Sequence, residues 1–559
     1  MHQPLMSRAR AFAVAAALTA VSPSAFGQTG QPLSAAVQSQ AAQAGAAMDS
    51  VRRLSMDDAQ KLALEQNLGI RIQRYDPQIQ DLGVAQSKGS WSPNLSSTIS
   101  RRSQTAASTS SIAGSATSIN DQRVNAGVRV LQTLPWGGSY DAQFNNLRAT
   151  TTNFFTTYSP QLSSNVSLQY SQPLLRNRSI DTIRQQVATS QNVRNLSDIN
   201  LDAVVVVTMR NVRNAYWDLS YAIDNLKAQE ESLALSNQSL RDNQKRVEIG
   251  TMAPIDIVQA QAEVASNEER VIVAEASIKR AQDNLRVLIL DPDTPNFWNT
   301  TFEPTDSAPF TEETFDLDAA VRNAIEKRTD LRQARNNLAR SDIDIRYLRN
   351  QALPDINAQA TYFTSGVGGR QLTPLSQADV LAGRTTRNVV ADRGLGSVLG
   401  DIFQSDYPDW TVGVQIVYPL NSSTSHANLA RARLEYQQSQ AQLKSMEMQV
   451  TNQVRDSLRN VQTNQKRVQS ARASRELQER KLEAEEKKLA AGMSSSFFVF
   501  QAQRDLALAR TAEIQAVSDY NKSLVDFEAV QQVPLGGGGG GITTAGSGAV
   551  ATNGIFRAQ

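Results

Sequence analysis

GTMAPIDIVQAQAEV runs from Gly250 to Val264, and GMSSSFFVFQAQRDL runs from Gly492 to Leu506. Each phrase starts with glycine, crosses a short stretch of proline or serine, and then repeats an apolar pair and QAQ. Upstream of the first, Val205, Val212, Leu219, Leu226, Leu233, Leu240 and Val247 recur every seventh residue, with Met209, Tyr216 and Ile223 in the companion positions. That is the seam of a coiled coil. Val454, Val461, Val468, Leu482 and Leu489 repeat it upstream of the second phrase, interrupted at Arg475. A glycine ending such a helix accepts the left-handed C-cap conformation. Pro254 suits the first turn of a returning helix, and Ser495 or Ser496 caps its counterpart. The phrase therefore reads as the tip of a helical hairpin, written twice. The outgoing helix, Thr182 to Val247, spans ~100 Å at 1.5 Å per residue. The return helices are expected over Pro254–Leu290 and Phe497–Val530.

The duplication extends beyond the tips. LSMDDAQKLALEQNLGIRIQR at Leu54 matches FDLDAAVRNAIEKRTDLRQAR at Phe315, an offset of 315 − 54 = 261 shared by Pro93 and Pro354. The offset drops to 492 − 250 = 242 at the tips, so the first copy carries extra residues between Pro93 and Val212. The chain divides into a first repeat, 54–290, a proline-rich connector, 291–314, and a second repeat, 315–531. Each opens with a leading helix, Met56–Lys88 or Leu317–Asn350, and Pro77 predicts a kink in the first. Strands follow. Leu162, Ser164, Val166, Leu168 and Tyr170 alternate with Ser163, Asn165, Ser167 and Gln169. Ile356, Ala358, Ala360 and Tyr362, and Trp410, Val412, Val414 and Ile416, give the same period of two. A further alternating pair, Val124–Leu131 and Tyr140–Phe144 around LPWGGS, either adds to the same sheet or forms a separate flap, which leaves four or six strands per chain.

Arg8 and Arg10 precede the apolar run Ala11–Val21, with Ala25 and Gly27 beyond it. Residues 1–27 read as a signal peptide and 28–53 as a flexible leader. The tail, 532–559, contains GGGGGG and cannot form a core. No later run is apolar enough for a membrane helix, so an exported chain of this kind is either soluble or a β-barrel. The net charge of +2 gives no electrostatic pull toward nucleic acid. With no cysteine and only His2 and His426, the sequence offers no metal site, no cofactor site and no catalytic constellation; it does not read as an enzyme.

Two shorter helices stacked against one long one make a tube wall, because a narrow apolar seam leaves water on both faces. Two strand sets with little core to cover them leave open edges, which several chains closing one barrel would remove. Trp91, Trp136, Tyr170, Tyr362, Trp410 and Tyr418 fall near strand ends, as in aromatic girdles. The polar segments 103–122, 150–160 and 364–409 then read as external loops. The fold class is α+β: long antiparallel coiled-coil helices, a barrel shared between chains, and an internal two-fold repeat.

At this point the residues resemble a known family, the TolC-like outer-membrane efflux channels. The carriers are the two leading-helix phrases, P-N-L at Pro93, P-D-I at Pro354, QPLL at Gln172, YPL at Tyr418, G-x5-D-I-V-Q-A at Gly250 and G-x8-Q-A at Gly492. The resemblance implies a homotrimer with a transmembrane β-barrel in the outer-membrane bilayer and an α-helical barrel through the periplasm. It also implies a periplasmic adaptor, an inner-membrane transporter and a passive efflux duct. A type I protein-secretion duct is the close alternative, and a non-pore coiled-coil envelope scaffold is the alternative of another class. By the same resemblance, Gly250, Thr251, Gly492 and Met493 meet the adaptor. Asp256 is the acidic gate position, and Phe498 and Gln501 stand where the second tip would narrow the tunnel. Helix capping alone accounts for the glycines, and the helix dipole alone accounts for an acid at Asp256 and for Lys245–Arg246 and Lys487–Lys488.

Overall fold

The computed structural model describes residues 51–107, 118–153, 156–306, 310–312, 314–375, 378–379, 382, 386–418 and 424–532. The signal peptide, most of the leader, the glycine tail and the last two residues of YPL lie outside the described residues. In chain order the elements are β1 (Val51–Leu54), α1 (Met56–Gln66), α2 (Leu68–Gly89), β2 (Asn94–Ala107), β3 (Ser118–Thr133), β4 (Ser139–Thr151), β5 (Tyr158–Pro173), α3 (Thr182–Glu248) and α4 (Ile255–Ile289). Next come β6 (Thr301–Pro304), α5 (Leu317–Lys327), α6 (Thr329–Gln351), β7 (Asp355–Leu372), β8 (Val389–Arg393), α7 (Leu395–Gln404), β9 (Pro408–Val417), α8 (Thr424–Ala490) and α9 (Ser496–Gln531).

The long helices α3 and α8 have 67 residues each, and their heptads face inward as the seam requires. Val212, Leu219, Val454, Val461 and Val468 are fully buried, while Leu226, Leu233 and Leu489 are half-buried toward the tips. Arg475, the misfit in the second heptad series, is held by Glu513 of α9 and Glu479 of its own helix. Side by side the helices form a wall four elements wide: α2 and α4 in line, then α3, then α6 and α9 in line, then α8. Apolar cores sit at mid-height in each repeat. Leu54, Ile70, Val212, Leu219, Leu285 and Ile289 belong to the first, and Leu331, Val450, Val454, Val461, Tyr520 and Phe527 to the second.

Each leading helix is two helices, not one. The first breaks at Asn67 and the second at Arg328, again 328 − 67 = 261 apart. Asn67 is extended (φ −62°, ψ 122°), and its side chain accepts from Ile70 N at 3.0 Å and donates to the Leu288 carbonyl at 2.9 Å. α2 runs through Pro77, which is buried, and the interruption of the leading helix lies ten residues earlier, at Asn67. A side chain that both caps the next helix and bonds a neighbouring carbonyl offsets the cost of the break.

Residues 51–53, expected to be leader, form β1, which pairs in parallel with β6 inside the connector. Tyr216 clamps this pair: its hydroxyl donates to the Leu54 carbonyl and lies 3.1 Å from Asp306, and burial pushes its pKa up to about 12. Tyr520, from α9, likewise donates to the connector, at the Thr311 carbonyl (2.7 Å).

The remaining strands form one antiparallel sheet in the order β2-β3-β4-β5-β7, with β9 beside the inner half of β7 and β8 beside its outer end. The extra pair β3–β4 thus belongs to the sheet rather than to a flap, and six strands lie abreast among the described residues. The segments expected as polar loops are partly strand, because the ladder continues past the apolar alternation, as in Gln104↔Asp121 and Leu162↔Gly368. Register sorts the faces. One row reads Leu95, Val130, Ala142, Leu168, Tyr362 and Trp410, and the next outward reads Ser97, Val128, Phe144, Val166 and Thr364. Arg129, Asp141, Gln143, Asn145, Ser167, Gln359 and Gln415 point the other way. Tyr362 stands in mid-strand, not at a strand end, and donates to Ser405 Oγ at 2.9 Å. The outermost strands, β2 and β9, are exposed along their whole length. Among the described residues no helix is long and apolar enough to cross a membrane.

Candidate functional site

The two hairpin tips are closed by the same backbone device. Gly250 (φ +72°) donates to the Val247 carbonyl, and Thr251 N donates to the Arg246 carbonyl. Gly492 (φ +74°) and Met493 repeat both bonds to Leu489 and Lys488. This is the Schellman motif, in which a left-handed residue satisfies the last free carbonyls of a helix. No heavy atom would obstruct a Cβ at either glycine, so the requirement is conformational, not steric. The Thr251 hydroxyl adds a second bond to Arg246 O, at 2.9 Å. Met493 is 75% exposed. Neither returning helix has a side-chain cap: Pro254 and Ser495 occupy the N-cap positions without one.

Ser496 is turned elsewhere. Its hydroxyl donates to Asp256 Oδ1 at 2.5 Å, joining the first turn of α9 to the first turn of α4. Two turns further along, Arg504 of α9 reaches Glu263 of α4 at 3.0 Å, and the Glu263 side chain is nearly buried. Phe498 is 55% exposed and stacks edge-on with Phe497, while Val499 and Phe500 turn inward. Gln501 is engaged along its own helix, donating to Asp505 at 3.1 Å and accepting from Arg504 at 3.1 Å. The hydrogen bond and ion pair from Lys481 hold the Asp505 carboxyl below its ordinary pKa. Glu485 is lowered by its bond to Lys488 and by Ser494, whereas burial raises Glu486 beside them.

Hydrogen bonds and ion pairs run along the contact between the two hairpins, except at mid-height, where Val525 of α9 enters the apolar core of the first. Gln503–Ser239, Arg510–Glu231, Lys522–Asp218, Arg210–Asp526 and Arg213–Glu528 tie α9 to α3, and Ser496 and Arg504 tie it to α4. Within each hairpin the contact is an apolar seam. Hairpins that are stiff internally and joined to each other by hydrogen bonds can shift as units, because a polar contact re-forms through water at little cost. Reading each repeat alone missed Ser496, Glu263 and Arg504. The signal that finds them is the repeat offset: the partners in Ser496–Asp256 and Arg504–Glu263 stand 240 and 241 residues apart, beside the 242 that relates the tips.

A family model described as "Outer membrane efflux protein" matches residues 137–289, from the turn before β4 to the end of α4, and 320–530, from α5 almost to the end of α9. The chain belongs to the outer membrane efflux protein family. Its members are channels of the outer membrane, not enzymes, and place a helical extension in the periplasm. Solved structures share the fold. The outer-membrane channel OprN superposes with a TM-score of 0.59 at 15% identity, over 85% of this chain and 89% of that one. The Campylobacter jejuni outer membrane channel CmeC gives 0.56 at 14%, over 85% of each chain. The open state of the Neisseria gonorrhoeae MtrE outer membrane channel gives 0.56 at 17%, over 85% and 88%. No curated protein matches the chain by sequence.

Proposed function

We propose that three copies of this efflux-family chain close into one passive exit duct, serving a periplasmic adaptor and an inner-membrane transporter in a tripartite system. The observation that carries the reading is the sheet. It is apolar on one face and polar on the other, its two edge strands are unpaired, and it continues into a helical wall that is also open at both sides. Edges of this kind are stable in lipid only when they close, with the polar face lining the bore. The tips form the inner gate. Ser496–Asp256 and Arg504–Glu263 hold neighbouring hairpins together there, three Asp256 carboxylates ring the constriction, and Phe498 and Gln501 narrow it from the second tip. Gly250, Thr251, Gly492 and Met493 present the surface on which the adaptor pulls the hairpins apart.

Single-channel recording in planar bilayers tests this. The wild-type trimer is expected to conduct weakly, and Asp256→Ser with Phe498→Ala to conduct several-fold more, as a polar latch and an aromatic plug are removed. A trimer that gives no pores in either form would overturn the duct in favour of a closed scaffold.

A further inference from the structure

The outer end of the sheet carries a feature that the duct does not use. On the face that bears Val128, Phe144 and Val166, the row second beyond them reads Arg101, Val124, Arg148, Leu162 and Gly368. Arg101 and Arg148 are exposed, and neither forms an ion pair among the described residues. They stand two strands apart, about 10 Å at the usual strand spacing, within reach of one phosphate. Arg370, further out on β7, is paired with Asp392, so that carboxylate does not compete for the two guanidinium groups.

At the same height and on the same face lies α7. Val398 and Ile402 are buried against β7, and Arg393 holds Asp401 at 2.6 Å. Its seat is cut by glycine: a Cβ at Gly366 would stand 2.3 Å from the Val398 carbonyl oxygen, and one at Gly368 2.5 Å from Val398 Cγ2. The flank of α7 about 100° round from that seat is only partly covered among the described residues, Leu399 being half-buried. Leu395, Leu399 and Phe403 follow one another at four-residue spacing, and Phe403 is 86% exposed. An amphipathic helix flat on an apolar wall, level with free arginines, has the composition of a membrane-boundary element.

We propose that this rim is a binding site for a phosphate-bearing lipid of the bilayer: Arg101 and Arg148 take the phosphate, Val124 and Leu162 lie beneath it, and the Leu395–Phe403 side of α7 packs on the acyl chains. The lipid is the occupant because the rim adds positive charge where the apolar rows give out, beyond an intervening row of Ile99, Ala126, Asn146, Ser164 and Gly366. The inference rests on the barrel reading, and the test separates the two. The chain has no native cysteine, so Phe403→Cys and Val128→Cys each accept a single nitroxide. In vesicles of phosphatidylcholine with phosphatidylglycerol, both labels are expected to collide more with oxygen than with a water-soluble nickel chelate. Val128 in lipid with Phe403 in water, or shielded from both probes, overturns the α7 contact alone; Val128 in water overturns the barrel. Spin-labelled phosphatidylglycerol is expected to associate with the wild type roughly threefold or more over phosphatidylcholine, and Arg101→Gln with Arg148→Gln to bring that ratio to about one. A wild-type ratio of one, or a ratio unmoved by the double variant, overturns the phosphate site.

Discussion

Glycine at 250 and 492 is set by φ alone. Gly250→Ala or Gly492→Ala places a Cβ in open space but in a left-handed conformation, at a cost of about 1 kcal/mol each. Hydrogen exchange at Thr251 and Met493, whose amides close the two motifs, is expected to quicken by several-fold while exchange at mid-helix stays unchanged. Tyr216 makes a different kind of prediction. It is fully buried, and its folded pKa of about 12 exceeds the ordinary value of 10.0. Folding thus favours the protonated phenol. The stability it contributes is complete below pH 10.0 and is lost as pH rises through about 12, with a slope of at most ~1.4 kcal/mol per pH unit. Tyr216→Phe should remove that alkaline slope from denaturant unfolding curves. It should also cost about 1–2 kcal/mol at neutral pH, since the buried hydroxyl's bonds to the Leu54 carbonyl and to Asp306 are lost.

Along the long helices, burial divides heptad positions that the sequence writes alike. Val461 is fully buried in the core that α8 shares with α5 and α9, whereas Leu233 and Leu489 near the tips are half-buried. Val461→Ala is expected to cost about 2 kcal/mol, and Leu489→Ala less despite the larger side chain, which thermal unfolding in detergent would rank. The heptads, the tip glycines and the strand alternation were legible because each is a short-range period, and a period fixes which face is buried. Elements whose causes lie far apart in the chain were not. The break at Asn67 depends on a carbonyl at Leu288, so proline at position 77 looked like the stronger signal. The outward continuation of β2, β3 and β7 depends on neighbours that supply ladder bonds to polar residues. At the tip, Asp256 was named from the family resemblance and Phe498 from its matching place in the second repeat, but the hydrogen bond from Ser496 to Asp256 joins two repeats and appears only when they are set side by side.

For the molecule as a whole, the decisive surface is the outer side of α2. Leu68, Ile72, Tyr75, Ile79 and Leu82 follow one another at spacings of four and three, and all are between 47% and 72% exposed. Such a stripe is a coiled-coil seam without its partner. It lies at the side of the helical wall continued by β2, and α8 closes the opposite side, continued by β9. The two free ends of the wall and the two free edges of the sheet therefore coincide, so one neighbour answers both demands if it presents α8 and β9. In the proposed duct that neighbour is a second copy, and a repeated head-to-tail contact of this kind closes into a ring. Ile72→Asp with Ile79→Asp puts two carboxylates in the seam and leaves the internal core of the chain untouched, since both positions are exposed within it. Light scattering in detergent is expected to find a trimer for the parent protein and monomer for the double variant, with the helical circular dichroism of the parent retained. If the double variant remains trimeric and conducts like the parent, the α2 stripe is not the subunit seam and the ring is closed by the strands alone.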